Sequence, residues 1–148
     1  MPSNSRLLVF VDRSGRVYAL VAVEEASLGD LVKRLSWVKH FKDLRGERRR
    51  GYVSALPRRL RAVRPLLAHL RVFDSLDGLE RFLRSIADRI GTLYLDDAVY
   101  GALAARGFET GFEVVPESRA RGRVRRAMLL ADSLANYYRL MLERGRAR

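Results

Sequence analysis

The chain has no cysteine, only three lysines (Lys33, Lys39 and Lys42), two histidines and four prolines in 148 residues. Each shortage excludes something. Without cysteine there is no disulfide framework, no thiolate zinc site and no cysteine nucleophile, and the composition fits a reducing compartment. No stretch approaches the roughly 20 apolar residues of a membrane span, and the opening Met-Pro-Ser-Asn-Ser-Arg holds no apolar run suited to a signal sequence. The expectation is a soluble, cytoplasmic protein that does not engage a membrane. Nothing in the spacing of the histidines supports a metal-binding pair, and His40 reads as a surface residue. The length suits one domain over 1–148, with a basic tail at 143–148 expected to fray.

What the chain has in abundance is arginine: 26 residues, giving a formal charge of +12 and a pI near 11.1. Arg makes bidentate contacts with phosphate, so a polyanion, above all nucleic acid, is the expected partner. A GC-rich genome or a thermophilic habit would also replace Lys by Arg, but explains the excess of positive charge less well. Two clusters stand out. From Arg45 to Arg71 there are nine Arg against one acid, Glu47, including Arg48, Arg49 and Arg50. Arg119, Arg121, Arg123, Arg125 and Arg126 fall within eight residues near the C-terminus. Either cluster is a solvated face or a surface that tracks phosphates.

The apolar pattern predicts the elements. Leu7 to Val11 is a continuous apolar run ending in Asp12-Arg13-Ser14-Gly15, which reads as a strand covered on both faces and followed by a turn. Arg16 to Glu25 is a second Val-rich strand, close enough to form a hairpin with the first. Ser27 is placed to cap a helix carrying Leu28, Leu31, Val32, Leu35 and Val38. Trp37 is expected to pack rather than to stack on bases. Residues 40–50 read as a loop or helix end, followed by a helix over 56–70 with Pro57 in its first turn and Pro65 kinking or splitting it. Residues 71–74 suit an edge strand. Ser75 caps a helix running to Ile90 and stopped by Gly91, Thr92 to Leu95 is a strand, and 98–106 is a short helix closed by Gly107. Phe108 to Val115 reads as a strand, and 119–142 as the longest helix. This order calls for an α/β fold: a mixed sheet with an N-terminal hairpin plus parallel strands, flanked by helices, the last of them long.

Three acidic positions share one situation. Asp12 ends the first strand, Asp96-Asp97 ends the Thr92 to Leu95 strand, and Asp132 lies beside the apolar stripe of the last helix. Asp12 alone either opens a turn by bonding its own backbone or faces a ligand. Acids at the ends of neighbouring strands can converge on the sheet edge where open α/β sheets bind ligands. Asp132 is unusual inside a helix and embedded in Met-Leu-Leu-Ala-Asp-Ser-Leu-Ala; a carboxylate beside a core needs a partner, which a divalent cation would supply.

These motifs resemble the RNase H-like fold. Val-Phe-Val-Asp-Arg-Ser-Gly is similar to the opening of an uncharacterised RNase H-like family that begins strand-Asp-Glu-Ser-Gly. Met-Leu-Leu-Ala-Asp-Ser-Leu-Ala resembles that family's closing Leu-Gln-x-Ala-Asp helix, and Leu-Tyr-Leu-Asp-Asp-Ala-Val-Tyr resembles the strand-Asp-Ser-x-Tyr segment of ribonuclease H. The resemblance covers both ends and the Thr92 to Tyr100 region, and is loose over 26–71. It implies a nuclease in which Asp12, one of Asp96 or Asp97, and Asp132 hold two Mg²⁺ or Mn²⁺ ions about 4 Å apart for in-line attack on a phosphodiester. The count back from Tyr100 favours Asp97. Asp74, Asp77 and Glu80 are the candidates for a fourth acid, although Asp77 and Glu80 also suit a helix first turn. The Arg clusters, with Arg13, would bind the nucleic acid. Arg13 stands where the family has Glu and Leu129 where it has Gln, and a cation beside the metal favours the alternative of a non-catalytic nucleic-acid-binding form. A third reading is a basic subunit that meets an acidic protein partner.

Overall fold

A computed structural model describes residues 6–108 and 110–146. The unbroken apolar run from Leu7 to Val11 leaves the first strand no side that can face water, so both faces have to be covered. This strand, β1 (Leu7–Ser14), is the middle one of five and is buried from Leu7 through Asp12. The others are β2 (Val17–Glu24), β3 (His69–Phe73), β4 (Ile90–Leu95) and β5 (Glu113–Pro116), in the spatial order β3-β2-β1-β4-β5. β1 pairs antiparallel with β2 and β2 with β3, whereas β1 and β4, and β4 and β5, run parallel. This is the expected mixed α/β sheet with its N-terminal hairpin and parallel strands. The hairpin loop is Gly15-Arg16, between the paired Ser14 and Val17, and Gly15 takes the φ of +60° that such short loops need.

The helices are α1 (Leu28–Lys33), α2 (Gly46–Val63), α3 (Leu76–Ser85), α4 (Asp97–Ala105) and α5 (Arg123–Arg146). Strand alternation sorts the core into two layers. Leu8, Phe10, Ala19, Val21 and Val23 pack under α1 and α5, while Leu7, Val9, Val11, Leu20 and Ala22 pack with Leu79 and Leu83 of α3 and Val99 and Leu103 of α4. Ala127, Ala131 and Ala135 recur every fourth position and let α5 lie close on the sheet. The Phe10 and Tyr94 rings stack at 4.9 Å on that side, contributing about 0.5–1.5 kcal/mol beyond the area they bury. α2 packs at the side through a smaller cluster of Phe41, Leu44 and Val53 against Tyr137 and Leu140 of α5.

Several boundaries differ from the sequence reading. A 3-10 turn over Glu25–Ser27 places Ser27 in helical backbone, so its side chain does not cap α1. α1 stops at Lys33, and Leu35 and Val38 are buried from the segment that follows. α2 begins at Gly46, inside the stretch read as loop, because Val53, Leu56 and Val63 supply a buried face that tolerates Pro57 in the interior. Pro65 sits in the 3-10 turn Arg64–Leu66 that ends it. Ser75 does cap α3, accepting from the Gly78 N–H, but α3 ends at Ser85, and Ile90 and Gly91 belong to β4, where Ile90 pairs with Leu7. β5 starts only at Glu113; Glu109, within the strand expected there, lies outside the described residues. α5 starts at Arg123 after the turn Glu117–Arg119 and continues to Arg146, so 143–146 of the expected tail are helical, and 147–148 lie outside the described residues. Among the described residues no helix is long and apolar enough to cross a membrane.

Candidate metal centre

The parallel strands end level with one another. Val11 pairs with Leu95, and Leu95 with Pro116, so the residues that follow this row are Asp12, Asp96 and Glu117. The Asp96 N–H bonds the Val11 carbonyl at 2.9 Å, which carries the β1–β4 ladder up to the acids. Neighbouring strands lie about 4.8 Å apart, and one carboxylate oxygen from each of Asp12, Asp96 and Glu117 falls within 4.8 Å of the others. Three acids that close could hold a metal ion, and all-oxygen donors suit a hard divalent cation.

Asp132 meets this group from α5. Ala131 and Ala135 bring the helix down on β1, and Asp132, 8% exposed, faces the 5% exposed Asp12 within hydrogen-bonding reach of its carboxyl. The Phe41 N–H donates to Asp132 Oδ2 at 2.8 Å, and Asn136 Nδ2 donates to Asp132 Oδ1 at 3.1 Å. Asn136 Oδ1 in turn accepts from Ser14 Oγ at 2.8 Å and from Arg139, which fixes α5 to the end of β1. His40 lies close enough to act on Asp132 electrostatically.

The electrostatics follow from burial. Desolvation first, then Asp132 and Glu117, push the Asp12 carboxyl up to about 9, against the pull of the Arg13 N–H that donates to Asp12 Oδ1 at 2.7 Å. Burial also raises Asp132, with Phe41 and His40 pulling it back. Glu117 is raised by burial and by Asp96, and Arg125, at 3.7 Å, offsets part of this. Burial and the closeness of two like charges therefore raise the proton affinity of both Asp12 and Asp132.

Of the predicted acids, Asp12 and Asp96 come together with Glu117, while Asp132 lies against Asp12 but outside the group of three. Asp96 also caps α4, its Oδ2 accepting from the Ala98 and Val99 N–H groups. Asp97 is exposed and outside the group of three; its Oδ1 accepts from the Ser118 N–H, which ties the turn carrying Glu117 to α4. Sequence reasoning missed Glu117. The signal was an acid directly after a strand, the same signal that singled out Asp12 and Asp96, but the residues around Pro116 read only as a lead into the last helix. The fourth-acid candidates are elsewhere: Asp77 and Glu80 pair with Arg106, Glu80 also pairs with Arg84, and Asp74 is exposed at the end of β3.

Arg13 is exposed, and alternation along β1 sends its side chain to the face opposite Asp12, so it does not stand at the acids. Arg48, Arg49 and Arg50 lie on the first turns of α2, with Arg49 over the Phe41 ring at 4.5 Å and Arg50 near Glu47. Arg119 and Arg121 line a groove of about 420 Å³ with Tyr94 and Val124. Arg123 reaches toward Gly29, Arg125 toward Glu117, and Arg126 toward the Val32 carbonyl. No protein-family model matches the chain, and no curated protein is similar to it at a significant level.

Proposed function

We propose that this protein is a metal-dependent nuclease that hydrolyses phosphodiester bonds of nucleic acid. The observation that carries the reading is the row of acids at the ends of β1, β4 and β5: Asp12, Asp96 and Glu117 within 4.8 Å, with Asp132 against them. Two further features support it. The acids after β1 and β4 and on the last helix are the positions on which the RNase H-like resemblance rests, and the charge of +12 suits a polyanionic substrate.

The residues fit a divalent cation on physical grounds. Buried carboxylates that crowd each other raise one another's proton affinity, and an ion of charge +2 relieves both the repulsion and the desolvation. Mg²⁺ or Mn²⁺ held by Asp12, Asp96 and Glu117 would supply Lewis-acid stabilisation of the phosphate and an activated water. Asp132, held at both oxygens by Phe41 and Asn136, lies within hydrogen-bonding reach of Asp12. The Arg-rich surfaces bind the strand on either side.

The test is cleavage of labelled single-stranded RNA, single-stranded DNA, duplex and hybrid with Mg²⁺ or Mn²⁺. Cleavage by the natural chain should fall to background in Asp12→Asn and in Glu117→Gln. Absence of metal-dependent cleavage across that panel would overturn the reading.

A further inference from the structure

The chain between β2 and β3, where the sequence resembles its suggested family only loosely, builds a groove beside the acids. The groove has a volume of about 470 Å³, within the roughly 300–1,000 Å³ of ligand clefts, and is lined by Trp37, Lys39, Arg48, Tyr52 and Arg59, with Glu47 at its border. Its lining is bonded to the turn of α5 that carries Asp132. The Tyr52 hydroxyl lies 2.7 Å from Ser133 Oγ, the residue after Asp132, and accepts from the Lys39 N–H at 3.1 Å. Two residues beyond Lys39, the Phe41 N–H holds Asp132 itself.

The lining has a particular chemistry. Arg59 lies over the half-buried Trp37 ring at 5.0 Å, and Tyr52 lies 6.0 Å from Trp37 at a tilt. Aromatic rings beside a guanidinium give a surface on which any base can rest, while Lys39 and Arg48 offer charge to its phosphates. The bases of a duplex are stacked on one another and cannot present a ring face to such a surface, whereas an unpaired strand can. Three cations against one acid make the groove complementary to an anionic backbone.

We infer that this groove holds an unpaired stretch of a nucleic-acid strand next to the acidic site. The inference rests on the nuclease reading for its partner class, and the experiment separates the two. Trp37 is the only tryptophan among six tyrosines, so fluorescence excited at the red edge of the absorption band, where tyrosine does not absorb, reports on the groove. Asp12→Asn protein in chelator is titrated with oligodeoxythymidine of about 12 nucleotides, a duplex of the same length, and polyglutamate. The single strand should change the emission saturably, at least about tenfold more tightly than the duplex, with no response to polyglutamate. Arg48→Glu combined with Arg59→Glu should weaken binding by about tenfold or more and flatten its salt dependence. Arg81→Glu, on the exposed side of α3, should leave it unchanged, and the circular dichroism of each variant checks its fold. Equal response to duplex or to polyglutamate, no emission change, or no effect of the Arg48/Arg59 pair overturns the inference. Metal-dependent cleavage that ignores the groove variants would leave the nuclease reading standing without the groove. Groove binding without cleavage by the natural chain would do the reverse.

Discussion

Two groups of carboxylates in this chain are treated in opposite ways. On α3, Asp77 and Glu80 each meet a guanidinium: Arg106 reaches both, and Arg84 bonds Glu80 at 2.8 Å. The Glu80 carboxyl is held below its ordinary range by those Arg hydrogen bonds. At the ends of β1, β4 and β5 the acids face one another instead, and Asp12 is pushed up to about 9. With 26 Arg in the chain, cations for the second group are not scarce. Only Arg125 approaches it among the ion pairs of the described residues, and only at Glu117. Arg thus offsets the acids of α3, whereas the crowded acids at the strand ends keep their raised proton affinity, the condition under which a bound cation would be most stabilising.

The largest expected difference between the two groups is in stability against pH. A carboxyl at about 9 in the fold and 3.8 when free stabilises the native state fully below pH 3.8, and that contribution is lost as pH rises towards 9. Metal-free protein should therefore weaken between pH 5 and pH 8, by on the order of 2–4 kcal/mol relative to Asp12→Asn, whose amide needs no proton. Urea unfolding of both in chelator measures this, and parallel curves would show that the acids are not crowded. A smaller effect is expected at Asp132, which lies within hydrogen-bonding reach of Asp12: Asp132→Asn should weaken Mn²⁺ binding by about 10–100-fold, read by calorimetry. The smallest is at α3. Glu80→Gln removes a partner of two Arg residues, yet should leave Mn²⁺ affinity and cleavage unchanged; a loss of either would erase the contrast between the groups.

The parts legible in sequence were those where a local rule and the tertiary fold agree. The apolar run Leu7 to Val11 announced a central strand because only a doubly covered strand is apolar at consecutive positions. Ser75 announced a cap because its helix begins on an extended residue. The boundaries of α1 and α2 were not legible: Ser27 lost its cap to a preceding 3-10 turn, and Pro57 was carried through a helix by the packing of Val53 and Leu56. At the site, Asp12, Asp96 and Asp132 could be read because each is an acid directly beside a strongly apolar stretch. Choosing Asp96 over Asp97 needed the register of Leu95 with Val11, which no single strand contains. Glu117 needed the position of β5, a strand of four residues whose weak pattern hid where it ended.

The most direct test of the central claim is a crystal structure grown with Mn²⁺, with anomalous scattering used to place the ion. The account predicts manganese bound by carboxylate oxygens of Asp12, Asp96 and Glu117, at the ~2.0–2.6 Å typical of hard cations. Manganese absent from that row while the acids keep their positions, or bound at Asp77 and Glu80 instead, would contradict it.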